Sequence, residues 1–125
     1  MRREMPTVLV ADDSPVARLT LARRLRAEGY EVVEHGTAAA ARGADVEDMA
    51  CALLDLDLGD GDGADVALAL HEKRANLPVA FFSASVSQDV LARARAVGPV
   101  FTKPDQLDAA VAWVRAQTNA APSVR

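Results

Sequence analysis

The chain has 125 residues, half of them apolar and 4% aromatic, with a net charge of −4, a size that suits one domain around one hydrophobic core. The acidic balance and the lack of aromatics among the arginines between Arg18 and Arg26 argue against nucleic-acid binding, and no apolar run approaches the roughly 18 residues that span a bilayer. The opening MRREMPTVLVADDS lacks a signal-peptide core and the lone cysteine, Cys51, has no mate for a disulfide or zinc site, so the expectation is a soluble cytoplasmic protein with a reduced, buried thiol.

Thr7 to Ala11 (TVLVA) reads as a short strand ending in Asp12-Asp13, after which Ser14-Pro15 supplies a cap and a proline suited to the first helical turn. Ala17, Leu21 and Leu25 recur every four residues along the next helix, Gly29 stops it, and Tyr30 to Glu34 restarts strand character. Thr37 to Ala44 predicts a short alanine-rich helix. Ala50 to Leu54 is continuously apolar, as a strand covered on both faces requires, and delivers Asp55 at its end. The stretch Asp55 to Asp65 (DLDLGDGDGAD) reads as a loop whose glycines permit unusual backbone angles. A helix carrying Val66, Leu68 and Leu70 follows, ending near Asn76-Leu77-Pro78. Val79 to Phe82 is the next strand, running out at Ser83-Ala84, and a helix through Val90, Leu91, Ala94 and Val97 reaches Gly98. Val100-Phe101-Thr102 leads to Lys103-Pro104, and a last helix over about Gln106 to Gln117 presents Leu107, Ala110, Val111 and Val114 on one face. The expected division is one domain over 1–118 and a flexible tail over 119–125.

Five strands alternating with five helices predict a three-layer α/β sandwich with right-handed crossovers and a parallel sheet of strand order 2-1-3-4-5. Ligands bind such sheets at the carboxyl ends of the strands, where the order reverses, which places Asp12, Asp13 and Asp55 together with Ser83 and Lys103 nearby. Three carboxylates in one crevice must bind protons or share a cation, and an all-oxygen set with a phosphate to complete it favours Mg2+. A carboxylate can also attack phosphorus if cations neutralise the transferring group, and Lys103 is the obvious second cation.

The segments VLVADDSP, LLDLDLGDGDG, FFSAS and FTKP, in this order and separation, make the chain resemble the receiver domain of bacterial two-component response regulators, the CheY-like superfamily with its flavodoxin-like fold, from Thr7 to Gln117. The resemblance implies that Asp55 is the phospho-acceptor, that Asp13 and Asp55 ligate Mg2+ directly and Asp12 mainly through water, and that Asp57 adds its backbone carbonyl. It makes Ser83 the hydroxyl position, Ala84 the small residue whose backbone amide touches the phosphoryl group, and Lys103 the lysine that pairs with it. Pro104 would follow a cis peptide bond.

Some positions depart from that pattern. Three residues before the lysine, where many receivers carry an aromatic residue that rotates on activation, stands Val100; Phe101, one place on, is expected on the opposite face of its strand. The loop position often held by proline is Gly59. Asp57, Asp60, Asp62 and Asp65 add negative charge, so Mg2+ is expected to matter for the folding of this loop. Asp57 and Ser85 occupy the flanking positions that tend to tune loss of the phosphoryl group. His35 and His71 lack partners at metal-ligand spacing, and Trp113 lies off the apolar face of the last helix, where packing on a neighbour is expected before a docking role. The arginines of the first helix read as a solvated face ahead of a partner-docking patch.

The resulting expectation is a stand-alone response regulator, with no output enzyme of its own, that receives a phosphoryl group on Asp55 from a sensor histidine kinase or a histidine phosphotransfer protein. Its signal would leave by contact with a downstream protein or by onward phosphotransfer, without nucleic acid or membrane. The alternatives are a receiver fold kept as a phosphorylation-independent interaction module and a phosphatase of the haloacid-dehalogenase type, against which the order of the motifs speaks. An EF-hand alignment on Asp60, Asp62 and Gly63 puts Leu58 and Ala69 at its two obligatory acidic positions.

Overall fold

Apolar runs bounded by polar or glycine residues become five parallel strands in the computed structural model, which describes residues 5–85 and 87–119. In chain order the elements are β1 (Thr7–Ala11), α1 (Pro15–Ala27), β2 (Glu31–His35), α2 (Ala38–Arg42), β3 (Met49–Leu54), α3 (Gly63–Lys73), β4 (Val79–Ser83), α4 (Gln88–Arg95), β5 (Val100–Thr102) and α5 (Leu107–Asn119). The sheet order is β2-β1-β3-β4-β5 with every pair parallel, the predicted architecture.

Side chains alternate across each strand, so the sheet feeds two cores. Leu9, Ala52, Leu54 and Phe81 pack with Ala38 and Ala41 of α2, Val66, Ala67 and Leu70 of α3 and Ala94 of α4. Val8, Val10, Leu53 and Phe82 pack on the other side with Leu21 and Leu25 of α1 and Ala110, Val111 and Val114 of α5. Cys51 is buried in this second core, where desolvation pushes its thiol up to about 12; it is inert at neutral pH. Trp113 lies half-buried against the same core, in line with the packing role expected of it.

Helix starts follow their caps. The hydroxyls of Ser14 and Thr37 accept the N–H groups of Ala17 and Ala40 at 3.3 and 3.1 Å, and the Asp62 carboxylate accepts that of Ala64 at 2.6 Å. Several boundaries differ from the sequence reading. Thr37 is the cap rather than the first turn of α2, which Gly43 ends. Gly29, at a φ of 101°, turns the chain so that the Tyr30 N–H still closes on Leu25 of α1, and β2 begins one residue later than expected. Within α3, Leu68 is 52% exposed while Val66 and Leu70 are buried, because residues two apart cannot share a helical face. Helix α5 reaches Asn119, which the expected tail had included; residues 120–125 lie outside the described residues.

The arginines of α1 lie on a partly solvated face and also pair with acidic side chains of neighbouring elements. Arg24 pairs with Asp108 of α5 at 2.8 Å, Arg26 with Glu34 of β2 at 2.9 Å, and Arg18 with the same Glu34 at 3.3 Å, so three of them tie α1 to its neighbours, while Arg23 and Arg26 remain exposed. His71 sits at the end of α3 with its ring nitrogen 2.9 Å from the Leu77 carbonyl. No helix among the described residues is long and apolar enough to cross a membrane.

Candidate phosphoryl-acceptor site

Each of the five polar residues singled out by the sequence leaves a strand at the same edge of the sheet. Asp12 follows β1 and its N–H bonds the His35 carbonyl at 3.0 Å, while Asp55 follows β3 with its N–H on the Ala11 carbonyl at 2.8 Å. Ser83 closes β4, and the Lys103 N–H bonds the Ser83 carbonyl at 3.0 Å. Sheet hydrogen bonding thus carries residues distant in sequence to one place.

The two carboxylate oxygens of Asp55 are held differently. Oδ1 accepts the Ser83 hydroxyl at 2.7 Å and, more weakly, the Asp57 N–H at 3.3 Å; Oδ2 accepts Lys103 Nζ at 3.0 Å. Lys103 also donates to Asp12 Oδ2, and Asp12 Oδ1 accepts the Ser14 N–H at 2.9 Å. Asp12 and Asp55 are almost completely buried, at 3% and 7% exposure. Asp13 is exposed and its carboxylate has no hydrogen-bond or ion-pair partner among the described residues. Ala84 is exposed beside Ser83, and the Lys103–Pro104 peptide is cis, as expected.

Burial raises the pKa of Asp12 against the opposing pull of Lys103. Burial alone would depress Lys103, but its hydrogen bonds to Asp12 and Asp55 and their charges carry it above its ordinary value. For Asp12 the sign runs against stability at neutral pH: the folded state holds its proton more tightly than the unfolded one, so stability falls as pH rises from the unfolded value of 3.8 through the folded pKa. Asp12→Asn is therefore expected to be more stable than the wild type in a chelating buffer, by a margin that opens as pH is raised from 4 to 7. Paired urea titrations at those pH values measure it, and a margin that stayed constant would contradict the account.

One oxygen each from Asp12, Asp13 and Asp55 can be chosen so that all lie within 4.8 Å of one another. Hard oxygen donors, one of them free and facing solvent, suit Mg2+ and leave room for water and a phosphoryl oxygen in its shell.

Most acidic side chains of the loop from Asp57 to Asp62 have partners within the protein. The Asp60 carboxylate accepts the Ala38 and Ala39 N–H groups of α2 at 2.7 and 3.1 Å, which holds its pKa below the ordinary range. Asp62 caps α3 and, with Asp65, pairs with Arg93 of α4 at 2.7 and 2.9 Å. Asp57 accepts the Gly59 N–H at 3.1 Å. Gly59 has a φ of 79°, which proline cannot adopt, so this loop takes a different path from one with proline there. Gly63 is the site residue the sequence reading passed over. A Cβ built on it would stand 2.1 Å from the Asp55 carbonyl oxygen; its only signal was its place among the three glycines of the loop.

Comparison with known proteins agrees with the geometry. The family model described as "Response regulator receiver domain" matches residues 8–115. The chain belongs to the response regulator receiver family. It is 34% identical over 93 residues to the transcriptional regulatory protein PdtaR of Mycobacterium tuberculosis, covering 73% of this chain and 45% of that protein, so the receiver spans less than half the length of the curated relative it matches. Among solved structures it resembles the N-terminal domain of a response regulator/sensory box/GGDEF protein from Carboxydothermus hydrogenoformans, at 27% identity and a TM-score of 0.76 over 91% of this chain and 94% of that one. The non-phosphorylated HemR receiver domain of Leptospira biflexa shares the fold, with a TM-score of 0.81 at 24% identity over 96% and 99% of the two chains. Membership sets aside the haloacid-dehalogenase alternative. Within the receiver, Val100 packs in the core under α4 and Phe101 in the core under α1 and α5, so the two side chains face opposite ways, as their strand positions predicted.

Proposed function

We propose that this receiver takes a phosphoryl group on Asp55 from a phosphohistidine of a sensor kinase or histidine phosphotransfer protein. The observation that carries the reading is the Asp55 carboxylate, nearly buried yet flanked by Ser83 on one oxygen and Lys103 on the other, at the mouth of the Asp12–Asp13 pair. In the transfer an Asp55 oxygen forms the new O–P bond as the N–P bond to the donor imidazole breaks. Lys103 turns from Asp55 to a phosphoryl oxygen, the Ser83 hydroxyl follows the phosphoryl group inward, and the Ala84 N–H donates to it. Asp13 and Asp55, with Asp12 behind them and the Asp57 carbonyl beside them, would hold Mg2+, which when bound supplies positive charge to the phosphoryl oxygens. Movement of Ser83 biases the segment leading to α4, and with Val100 at the usual aromatic position the change is read from that segment and helix rather than from a rotating ring.

Output through protein contact or onward transfer, in the cytoplasm, is supported by the acidic balance and by the use of the α1 arginines in internal pairs; the relative's role in transcription points to gene regulation as the process served. Intact mass after incubation with acetyl phosphate and Mg2+ tests the proposal. The wild type is expected to gain one phosphoryl group, and Asp55→Asn or a chelated sample none. A wild type that stayed unmodified by acetyl phosphate and by a panel of histidine kinases would favour the phosphorylation-independent interaction module.

A further inference from the structure

Asp12 and Asp13 are adjacent but are not held alike. Asp12 is tethered through its N–H to His35 and through its carboxylate to Ser14 and Lys103. The Asp13 carboxylate has no protein donor among the described residues, so its direction depends on the peptide plane that precedes it. That plane has one side-chain anchor among the described residues. Arg18 Nη1 donates to the Asp12 carbonyl oxygen at 2.9 Å, and Arg18 Nε donates to Glu34 Oε1 at 3.3 Å. Glu34 is fixed in turn by Arg26 at 2.9 Å, and Arg26 also donates to the Val32 carbonyl at 3.1 Å. Gly36 leaves the space the guanidinium fills, since a Cβ there would come 3.0 Å from Arg18 Nη1.

We infer that Arg18 is a positioning residue for the metal site, acting through the Asp12–Asp13 peptide to aim the Asp13 carboxylate. The inference rests on the reading of Asp12, Asp13 and Asp55 as a Mg2+ site. A guanidinium is suited to the task because its planar fork can bond a carbonyl and a carboxylate at once from one rigid group, and a lysine ammonium cannot reproduce that geometry. The charge of Arg18 works the other way, since a cation close to a cation site weakens binding by Coulomb repulsion. Geometry and charge therefore predict opposite signs when the side chain is removed.

The test is calorimetric titration of the whole chain with Mg2+ and separately with Ca2+, for the wild type, Arg18→Ala, Arg18→Lys and Asp13→Asn. Residues that orient metal ligands are worth about 10- to 100-fold in affinity, so Arg18→Ala is expected to weaken Mg2+ binding by at least about tenfold despite losing a positive charge. Ca2+, which tolerates irregular shells, should lose less, on the order of threefold. A tighter or unchanged Mg2+ affinity in Arg18→Ala, or an equal loss for both ions, would overturn the inference. Arg18→Lys keeps the charge, so its loss of Mg2+ affinity reads geometry alone if Arg18→Ala proves too unstable to titrate; a wild-type affinity there counts against the inference. Failure of the underlying site reading looks different: the wild type would then bind no Mg2+ that Asp13→Asn weakens.

Discussion

Gly63→Ala is expected to destabilise the receiver by about 3 kcal/mol and to remove most of its phosphoryl uptake. The added Cβ would lie 2.1 Å from the Asp55 carbonyl oxygen and 2.9 Å from its carbonyl carbon, distances no side-chain rotation relieves because the obstacle is backbone. Either α3 retreats at its first residue or the Asp55 peptide moves. The second displaces the carboxylate from Ser83 and Lys103, and the first breaks the 3.0 Å bond from the Gly63 N–H to the Leu56 carbonyl. Alanine's better helix propensity, worth about 1 kcal/mol, is too small to offset this. Gly43→Ala is the matched control: its φ is −84° and a Cβ there meets nothing closer than 3.6 Å, so it should be neutral or stabilising by up to about 1 kcal/mol. Urea midpoints with unchanged m-values decide the comparison, and a wild-type midpoint for Gly63→Ala would show that the loop yields freely.

Lys103→Met should slow phosphoryl uptake from acetyl phosphate by about 100- to 1000-fold, the usual loss when one stabilising charge is removed from a transferring group. It should also cost about 3 kcal/mol of stability in chelating buffer, the low end for breaking a buried pair, because the lysine side chain retains 15% exposure. The cost arises from leaving Asp12 and Asp55 charged and close together without their cation. Saturating Mg2+ is expected to restore much of the stability and little of the rate, since a divalent ion can replace the charge but not the donor. The lysine's contribution is fully present below its unfolded pKa of 10.5 and is lost as pH rises through the higher folded value, so the difference between the two proteins should persist across the neutral range and close only in strong alkali. Stopped-time mass measurements and urea titrations with and without metal follow the two effects. A variant as stable as the wild type without metal would mean that Asp12 takes up a proton when the lysine goes.

The strand order and the grouping of Asp12, Asp13, Asp55, Ser83 and Lys103 were legible because hydrophobic runs set the strands and parallel topology sends their ends to one edge. Arg18, Asp60, Arg93 and Gly63 were invisible as site residues. Their partners are backbone atoms or lie on other elements, and contact with a peptide oxygen leaves no pattern in the side-chain sequence. Charge alone made Asp60 and Asp62 look like burdens on the loop; only coordinates show that one closes the start of α2 and the other the start of α3.

That use of the acidic loop has an entropic consequence. Asp60 joins the loop to α2 and Asp62 joins it to α3 and α4, so the segment that carries the Asp57 carbonyl is held by the chain's own side chains. Conformational freedom lost to those contacts, about 1–2 kcal/mol per residue, is not lost again at each binding event. Metal association with such a segment should show a small entropy of ordering and a rate close to that of a rigid site, and repeated loading and unloading of Asp55 can proceed without the loop being rebuilt each cycle.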